Sequence, residues 1–251
     1  MTRRARTIVL AAGLAGTATI LAWGFAGLPD FGHYHGRYGL VLDRVAVAER
    51  TATNVPSAIN FDYRALDTLG EEFILFSSAL GVAVLLREPR GSQEHPPAEA
   101  EIVGPPPAAT PLVRATGRWA APALLALGVY IVVHGQLTPG GGFQGGVVVA
   151  GVPLLLYLCG GALTVRRSAP WLVIESASGG GAGGYALIGI AGVLAGGAFF
   201  HNLLPLGTAG ELLSSGTIAL ASCVVGIEVA AAFTLVFSEL AERGLILRRR
   251  P

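Results

Sequence analysis

Ionisable side chains within apolar segments are the residues of this sequence best suited to chemistry, and they are few. Glu228 lies near the middle of the long apolar run Leu212–Leu240, flanked by Gly226, Ile227 and Val229. An unpaired charge at such a depth costs at least about 2.5 kcal/mol, so this carboxyl must face protein or water, be paired, or stay protonated. Burial favours the protonated form, which suits a proton relay. The alternative is a structural hydrogen bond to another helix or to a neighbouring protein of a complex.

Two histidines, His134 and His201, lie near the ends of two other apolar runs. Because imidazole titrates near neutral pH, both are candidates for proton uptake or release. The alternative is a hydrogen-bonded position at an interface, which is the commoner role of a lone histidine near a helix end. Gln144 and Asn202 are the polar residues that could partner them.

Two further acidic residues, Asp67 and Glu71, occur where another apolar run begins. Thr68 and Glu71 have the spacing of a capping box, in which each side chain satisfies backbone donors at a helix start. Both acids also suit the positive end of a helix dipole. Carboxylates at a membrane entrance attract cations as well. Asp67 and Glu71 are therefore candidates for an ion path, with helix capping as the alternative.

The densest motif is PGGGFQGG, between the third and fourth apolar runs. It consists of Pro139, Gly140, Gly141, Gly142, Phe143, Gln144, Gly145 and Gly146. The proline and the glycines interrupt a helix and free the backbone to turn, and the four-residue spacing of Gly142 and Gly146 lets the next helix approach a neighbour closely. One interpretation is a tight external turn before a closely packed helix. The other is an unwound segment whose carbonyls and helix N-terminus meet an ion.

The composition indicates a membrane protein. Of the 251 residues, 52% are hydrophobic and 13% are charged, whereas soluble domains carry about 25% charged residues. The net charge of +1 gives no indication of nucleic acid as a partner. Cys159 and Cys223 lie inside apolar runs, so we expect neither a disulfide framework nor a metal site. No motif for a cofactor or a catalytic nucleophile is evident, and we expect no cofactor and no enzymatic activity.

The predicted fold is all-α, a polytopic membrane helix bundle with about six transmembrane helices. Each apolar run is close to the roughly 20 residues that a helix needs to cross the hydrocarbon. The runs are Thr7–Gly27, Leu69–Leu86, Trp119–Leu137, Gly145–Val165, Tyr185–Leu204 and Leu212–Leu240. With six spans, all arginines except Arg37, Arg44, Arg50 and Arg64 fall on one side. The positive-inside rule then predicts that both termini are cytoplasmic.

The connections between these runs differ in character. Residues 29–63 form a long external segment with a short helix expected around Val41–Thr53. The glycine-rich stretch 176–184 is predicted to be a flexible cytoplasmic loop, with Glu175 solvated beside it. Gly192 and Gly196 form a G-x-x-x-G pair, typical of a helix-packing surface. Basic residues precede the first run, as in a signal peptide, but no small-x-small cleavage site follows, so we expect this segment to be retained.

Three regions follow from this pattern: a two-helix unit with its external loop at 1–87, a proline-rich cytoplasmic linker at 88–111, and a four-helix domain at 112–251. The motif at 139–146, with His201–Gly207, Gly210–Gly216 and Val225–Val229, resembles the B subunit (MnhB or MrpB) of Mrp-type multi-subunit Na⁺/H⁺ antiporters. That family is similar to membrane subunits of respiratory complex I and of membrane-bound hydrogenases.

Residues 60–71, NFDYRALDTLGE, resemble the hydrogenase E-like module that is often found at the end of the antiporter A subunit. The matching positions are Asp62, Arg64, Asp67, Thr68, Gly70 and Glu71. Here this module precedes the B domain, a different distribution of units among chains.

The resemblance implies a non-catalytic subunit in a prokaryotic plasma membrane that lines part of an ion path and holds neighbouring subunits. The implied partners are the other antiporter subunits and the lipid bilayer, with Na⁺ and H⁺ as transported ions and no nucleic acid. The large pumping subunits of such assemblies are known for lysines buried in broken helices. This chain has no lysine, because all 17 of its basic residues are arginine. The alternative function is a membrane module of a complex I-like or hydrogenase-type oxidoreductase.

Overall fold

A computed structural model describes residues 3–28, 36–86, 110–160 and 171–247. Eight α-helices and one π-helix occur within these ranges, and none of the residues described is in a β-strand. In chain order the helices are α1 (Arg3–Ala26), α2 (Arg37–Arg50), α3 (Val55–Ala58), the π-helix (Ile59–Tyr63), α4 (Ala65–Leu86), α5 (Pro111–Val133), α6 (Gly142–Gly160), α7 (Trp171–Leu194) and α8 (Thr217–Leu247).

Six helices among the described residues are long and apolar enough to cross a membrane. Their spans are Thr7–Ala26, Ala65–Leu86, Pro111–Val133, Gly142–Cys159, Trp171–Leu194 and Thr217–Ala241. The all-α fold and the number of spans are thus confirmed. A short helix in the segment before the second span is also confirmed, as α2. The proline-rich linker lies almost wholly outside the described residues, and the orientation of the termini stays a prediction.

The chain divides into two compact units between Val41 and Leu42. In the first unit, the described side chains of α1 are exposed along most of the helix, as expected of an apolar helix that lipid would surround. The second unit contains α3 to α8. Within it, α5 begins at Pro111, whose missing N–H costs nothing at a helix start, and the Thr110 hydroxyl accepts a hydrogen bond from the Val113 amide at 3.3 Å.

Helix α8 lies at the centre of the second unit and packs against α4, α6 and α7. Two apolar clusters are arranged along it. The first apolar cluster comprises Ala46, Ala52, Ala58, Phe61, Ala65, Tyr185, Ile188, Phe200, Ile218, Ala221, Val225 and Val229. The second apolar cluster comprises Ala79, Ala83, Ile174, Ala231, Ala232 and Leu235. Alanines make up five of the twelve members of the first cluster and four of the six of the second, and such small residues let helix backbones approach each other closely.

Glycines near the start of helix α6 allow it to pack closely against α8. A Cβ atom on Gly146 would lie 2.7 Å from the Val229 Cβ and 2.9 Å from the Gly226 carbonyl oxygen of α8. One on Gly142 would lie 2.5 Å from the Ser222 carbonyl oxygen. The expectation that these two glycines allow close packing of the next helix is confirmed.

The predicted loop at 176–184 is wrong, because these residues form the middle of α7. The predicted fifth span, Tyr185–Leu204, was accordingly placed too late. Isolated glycines disfavour a helix, but in hydrocarbon every backbone group must be satisfied within the protein, and a helix is the way a single segment achieves this. Glu175 is therefore a half-buried residue of α7, not a solvated loop residue.

The prediction that Gly192 and Gly196 form one G-x-x-x-G packing surface is also wrong, because the two glycines do not share a packing partner. Gly192 packs against the backbone of His201, in the chain that returns after α7. Gly196 lies beyond the end of α7, in a turn with φ +85°, and a Cβ atom there would meet nothing within 4 Å.

We expect Gly146→Ala to destabilise the protein because its methyl group would collide with backbone as well as side-chain atoms of α8. Overpacking of this kind costs about 1–3 kcal/mol, and a lower melting temperature of the detergent-solubilised chain would reveal it. Gly151→Ala on the same helix is the matched control, since its Cβ would lie 3.4 Å from the Leu124 side chain, an ordinary contact. Equal melting temperatures for the two variants would contradict the close approach of α6 and α8.

Candidate functional site

Three connecting segments form a hydrogen-bonded layer at one end of the second unit. We call this layer, made of residues 50–64, 134–141 and 200–217, the polar cap. The segments precede α4, join α5 to α6, and join α7 to α8 respectively. Their contacts with one another agree with the alternation of the five spans α4 to α8, which brings these connections to the same side.

Asn54 joins the first segment to the second. Its side chain is 7% exposed, and Nδ2 lies 2.6 Å from the Gly135 carbonyl oxygen, 2.9 Å from that of Thr138 and 3.3 Å from that of Gly140. The Asn54 backbone N–H also donates to the Gln136 backbone carbonyl at 3.0 Å. The Ser57 hydroxyl donates to the Gly135 carbonyl at 2.6 Å. The Asn54 side-chain nitrogen thus lies among converging carbonyls of this turn, and its two N–H groups can bond two of them at a time.

The first and third segments are joined by a second set of bonds. The Thr51 hydroxyl donates to the Leu206 carbonyl at 2.6 Å and accepts from the Ser215 amide at 3.0 Å. The Ser215 hydroxyl donates to the Thr51 carbonyl at 3.1 Å. Thr51 and Ser215 both have positive φ, 51° and 66°, a conformation uncommon for residues with a side chain. These bonds hold both residues in it.

A partly buried ion pair completes the polar cap. Arg50 Nε lies 2.7 Å from Asp62 Oδ1, and the Asp62 side chain is 7% exposed. The other oxygen of Asp62 accepts from Asn202 Nδ2 at 3.0 Å, while Asn202 Oδ1 accepts from the Thr217 amide at 2.8 Å. Asn202 therefore links the ion pair to the N-terminus of α8. It was predicted only as a polar partner for the histidines.

Tyr63 flanks this ion pair. Its ring centroid lies 5.2 Å from the Arg50 guanidinium carbon, and its hydroxyl donates to Glu49 Oε2 at 2.8 Å. Burial, together with this bond to a carboxylate, raises the pKa of Tyr63 to about 12. The hydroxyl consequently remains a neutral donor at physiological pH.

The structure favours the turn interpretation of the PGGGFQGG motif. Pro139 is exposed, and Gly140 and Gly141 have φ of +138° and +140°, which glycine adopts most readily. The carbonyl oxygens of Gly135, Thr138 and Gly140 converge on Asn54 Nδ2, so this nitrogen lies where an ion bound by all three would have to be.

The remaining motif residues belong to α6. Phe143 packs against the first apolar cluster, Gln144 is exposed, and Gly145 is buried against Val132 and Gly128 of α5.

The two candidate histidines have different surroundings. His134 is half-buried, its ring stacks on Tyr130 with centroids 4.0 Å apart, and its Nδ1 lies 3.0 Å from the Tyr130 carbonyl oxygen. His201 is exposed and lies beside the turn at Gly197. His134 thus has the hydrogen bond of a structural histidine, whereas His201 is accessible.

Asp67 and Glu71 lie on an exposed face of α4, and Asp67 forms an ion pair with Arg64. The predicted capping box is wrong, because α4 begins at Ala65, upstream of Thr68. Thr68 lies inside the helix, and its hydroxyl donates to the Asn60 carbonyl at 2.7 Å. Asp67 does lie in the first turn of α4, as the dipole argument expects.

Glu228 is fully buried at mid-depth of α8, as the sequence predicted. Its Cβ occupies space that a Cβ on Gly181 of α7 would enter, at 2.5 Å. The glycines of α7 therefore give Glu228 its place at the α7–α8 interface. Neither carboxyl oxygen of Glu228 has a hydrogen-bond partner in the part of the chain that the structure describes.

Sequence reasoning missed several buried polar residues, among them Glu72 and Ser178. Glu72 is 0% exposed and Ser178 is 2% exposed, and their side-chain oxygens also lack partners among the described residues. The motif directed attention to Glu71, but the next residue is the one that faces the bundle. The seven-residue spacing of Ala65, Glu72 and Ala79 was the available signal, because such residues share a helix face.

The five predicted ion-path residues do not form one cluster. No hydrogen bond, ion pair or ring contact joins any two of Glu228, His134, His201, Asp67 and Glu71 within the described ranges. No group of three or more histidine, cysteine, aspartate or glutamate side chains positioned for a metal ion occurs in these ranges either.

Comparison with known families identifies the four-helix region. Residues 112–235 match the model of a domain related to the MnhB subunit of Na⁺/H⁺ antiporters. An uncharacterised protein of Methanocaldococcus jannaschii is 28% identical over 211 residues, which is 76% of this chain and 78% of that protein. A probable K⁺/H⁺ antiporter A/B subunit of Rhizobium meliloti is 30% identical over 183 residues, which is 66% of this chain and 18% of the relative.

Two solved structures share the fold over nearly the whole chain. One is the membrane-bound sulfane sulfur reductase, an archaeal respiratory membrane complex, with a TM-score of 0.70 and 28% identity over 94% of this chain and 98% of that one. The other is the Mrp complex of a Dietzia species, with a TM-score of 0.68 and 25% identity over 96% of this chain and 26% of that one. The chain therefore spans about a quarter of the matched Dietzia chain and less than a fifth of the Rhizobium protein.

We expect Asn54→Asp to destabilise the protein, because it replaces the buried amide donor with oxygens that face three carbonyls. Leaving such groups unsatisfied costs about 1–3 kcal/mol, and more where a charge is buried. Thermal unfolding in detergent measures the loss. Asn60→Asp, the same change at an exposed position four residues before Arg64, is the control. An Asn54→Asp protein as stable as this control would argue against the role of Asn54 in the polar cap.

Proposed function

This chain belongs, through residues 112–235, to the family of domains related to the MnhB subunit of Na⁺/H⁺ antiporters, and we propose that it is a non-catalytic member of a multi-subunit cation/proton antiporter. It is a multi-pass protein of a prokaryotic plasma membrane. In this proposal it contributes part of the ion path and holds neighbouring subunits together.

The buried Glu228 carries the proposal of a role in the ion path. A carboxyl at mid-depth of a membrane span, without a partner among the described side chains, needs a proton, an ion or water to be accommodated. These are also the species that a cation/proton antiporter handles. His201, Asp67 and Glu71 are exposed, which suits a place on an access route or at a contact with another subunit.

The membrane orientation is part of the proposal. The arginine distribution favours cytoplasmic termini, and the polar cap would then lie on the external side. A layer rich in hydrogen bonds and tight turns is suited to the membrane surface, since irregular backbone survives at depth only where protein or water satisfies it.

The N-terminal region, 1–87, is proposed to be a hydrogenase E-like module that precedes the B domain at 112–251, with the linker at 88–111 between them. The Dietzia chain supports this arrangement, because it matches 96% of this chain within one quarter of its own length. The name of the Rhizobium relative, which joins the letters A and B, is in keeping with it as well. The polar cap binds the two regions to each other through residues 50–64.

The transported cation is proposed to be Na⁺, exchanged from inside for external protons. The relatives include both a Na⁺/H⁺ family and a K⁺/H⁺ protein, so the cation is the part of the proposal that transport assays must decide. The absence of lysine from the sequence argues against a place as the large pumping subunit, and supports an accessory place beside it.

A second candidate function is a membrane module of a respiratory oxidoreductase. It is favoured by the match with the sulfane sulfur reductase complex, which covers 98% of the matched chain. The proteins that co-purify with this chain distinguish the two: iron–sulfur proteins would favour the oxidoreductase, and large lysine-bearing membrane subunits would favour the antiporter.

The deciding experiment is complementation of a salt-sensitive, antiporter-deficient cell by the intact operon carrying Glu228→Gln. We expect growth at high Na⁺ to fall to the level of the deficient cell while the complex still assembles, because glutamine keeps the shape but binds no exchangeable proton.

Glu211→Gln, in the exposed connection between α7 and α8, is the control and should leave growth unchanged. Undiminished Na⁺ resistance with normal assembly would remove Glu228 from the transport path. Loss of assembly would instead identify Glu228 as a structural contact.

A further inference from the structure

Three polar side chains without partners lie in the interior formed by α4, α7 and α8, one on each helix. They are Glu72, Ser178 and Glu228, none of them more than 2% exposed. None of their five side-chain oxygens has a hydrogen-bond partner in the described part of the chain. Buried polar groups are nearly always satisfied, so this set requires an explanation.

Glu72 faces the space between the two apolar clusters. Ala65, seven residues before it, belongs to the first apolar cluster, and Ala79, seven residues after it, belongs to the second. Seven residues are about two turns, so the three side chains share one face of α4. Glu72 consequently lies about 10 Å along the helix from either cluster member.

Ser178 and Glu228 lie at the same boundary on their own helices. On α7, Ser178 is between Tyr185 of the first apolar cluster and Ile174 of the second. On α8, Glu228 is next to Val229 of the first and about one turn before Ala232 of the second. Each of the three helices thus has a buried polar residue near the point where it passes from one apolar cluster to the other.

The contacts between helices agree with this register. Glu228 lies against Gly181 of α7. Phe76, one turn beyond Glu72 on α4, approaches Gly179 of the same helix α7, where a Cβ would lie 3.9 Å from the Phe76 ring. Glu228 and the turn of α4 that follows Glu72 therefore contact the same short stretch of α7, which Ser178 adjoins.

No basic group among the described side chains is placed to neutralise these acids. None of the arginines whose side chains are described lies on α4, α7 or α8. The Tyr185 hydroxyl donates to the Ala65 carbonyl at 3.1 Å, and Arg50 is paired with Asp62 in the polar cap.

Four further acidic residues whose side chains are described lie on the three helices. Glu175 is half-buried near the start of α7, and Glu239 is buried further along α8. Asp67 and Glu71 point to the exposed face of α4. No described side chain on these helices therefore supplies a positive charge that would favour ionisation of Glu72 or Glu228.

We propose that Glu72 and Glu228 form a buried proton-binding pair and that the Ser178 hydroxyl lies beside it. Two carboxylates cannot both ionise in an apolar interior without a counter-ion, so the pair retains at least one proton at neutral pH. The Ser178 hydroxyl is a third polar group in the same interior, and it too has no hydrogen-bond partner among the described residues. Proton binding by the pair does not depend on a role in transport. A role for the pair in the antiport cycle rests on the proposed function.

Cross-linking tests the juxtaposition directly. In a chain with Cys159→Ala and Cys223→Ala, the double change Glu72→Cys with Glu228→Cys should be joined by a short bifunctional thiol reagent, as measured by mass spectrometry of the digested protein. Glu71→Cys with Glu228→Cys is the matched control, because Glu71 lies on the exposed face of α4. Failure to cross-link at position 72, or equal yields at 71 and 72, would overturn the pair.

Infrared titration of the intact complex in lipid tests the shared proton. The wild type should show a protonated-carboxyl band at neutral pH that Glu211→Gln leaves unchanged and that the double variant Glu72→Gln with Glu228→Gln loses. In each single variant, the titration midpoint of the remaining carboxyl should differ from the wild-type midpoint by about tenfold or more in proton concentration, because coupled groups titrate together.

Single variants whose bands add up to the wild-type band, with unchanged midpoints, would show two independent acids and overturn the proposal. Full ionisation of both acids at neutral pH would overturn it as well. Should both tests support the pair while Glu228→Gln leaves Na⁺ resistance intact, the proton-binding pair stands and the proposed transport role fails.

Discussion

The absence of water from the hydrocarbon interior is the constraint on which the rest of this structure depends. Every backbone N–H and C=O group at depth needs a partner within the protein, so the apolar runs form helices even where glycines are dense, as in α7. Most of the irregular backbone that the structure describes in the second unit lies in the polar cap. There Asn54, Thr51 and Asn202 supply the bonds that water would otherwise provide.

The same constraint explains the many small residues. In lipid, helices gain little from burying apolar surface and associate through close packing instead. Gly142 and Gly146 bring α6 against α8, and Gly181 brings α7 against Glu228. The glycines that suggested flexibility in the sequence thus serve to make a tight bundle with α8 at its centre. Tight packing also keeps lipid and water away from the acids inside.

The errors of prediction have one origin. Helix propensity and turn motifs are properties of short segments, and both were overruled by the surroundings. Residues 176–184 contain five glycines, yet they lie at mid-span and form a helix. Thr68 and Glu71 have the spacing of a capping box, yet the chain before them already forms a π-helix and the start of α4. In each case the backbone was stabilised by contacts that a local pattern does not contain.

The sequence by itself determined the all-α membrane fold, the number of spans and the depth of Glu228, because each follows from the order of apolar and polar residues along the chain. Only the tertiary structure decided which acid of α4 faces inward. Glu71 and Glu72 are adjacent and chemically identical, but successive residues of a helix point about 100° apart. One is exposed and the other lies between α4, α7 and α8, and that difference depends on where the neighbouring helices stand.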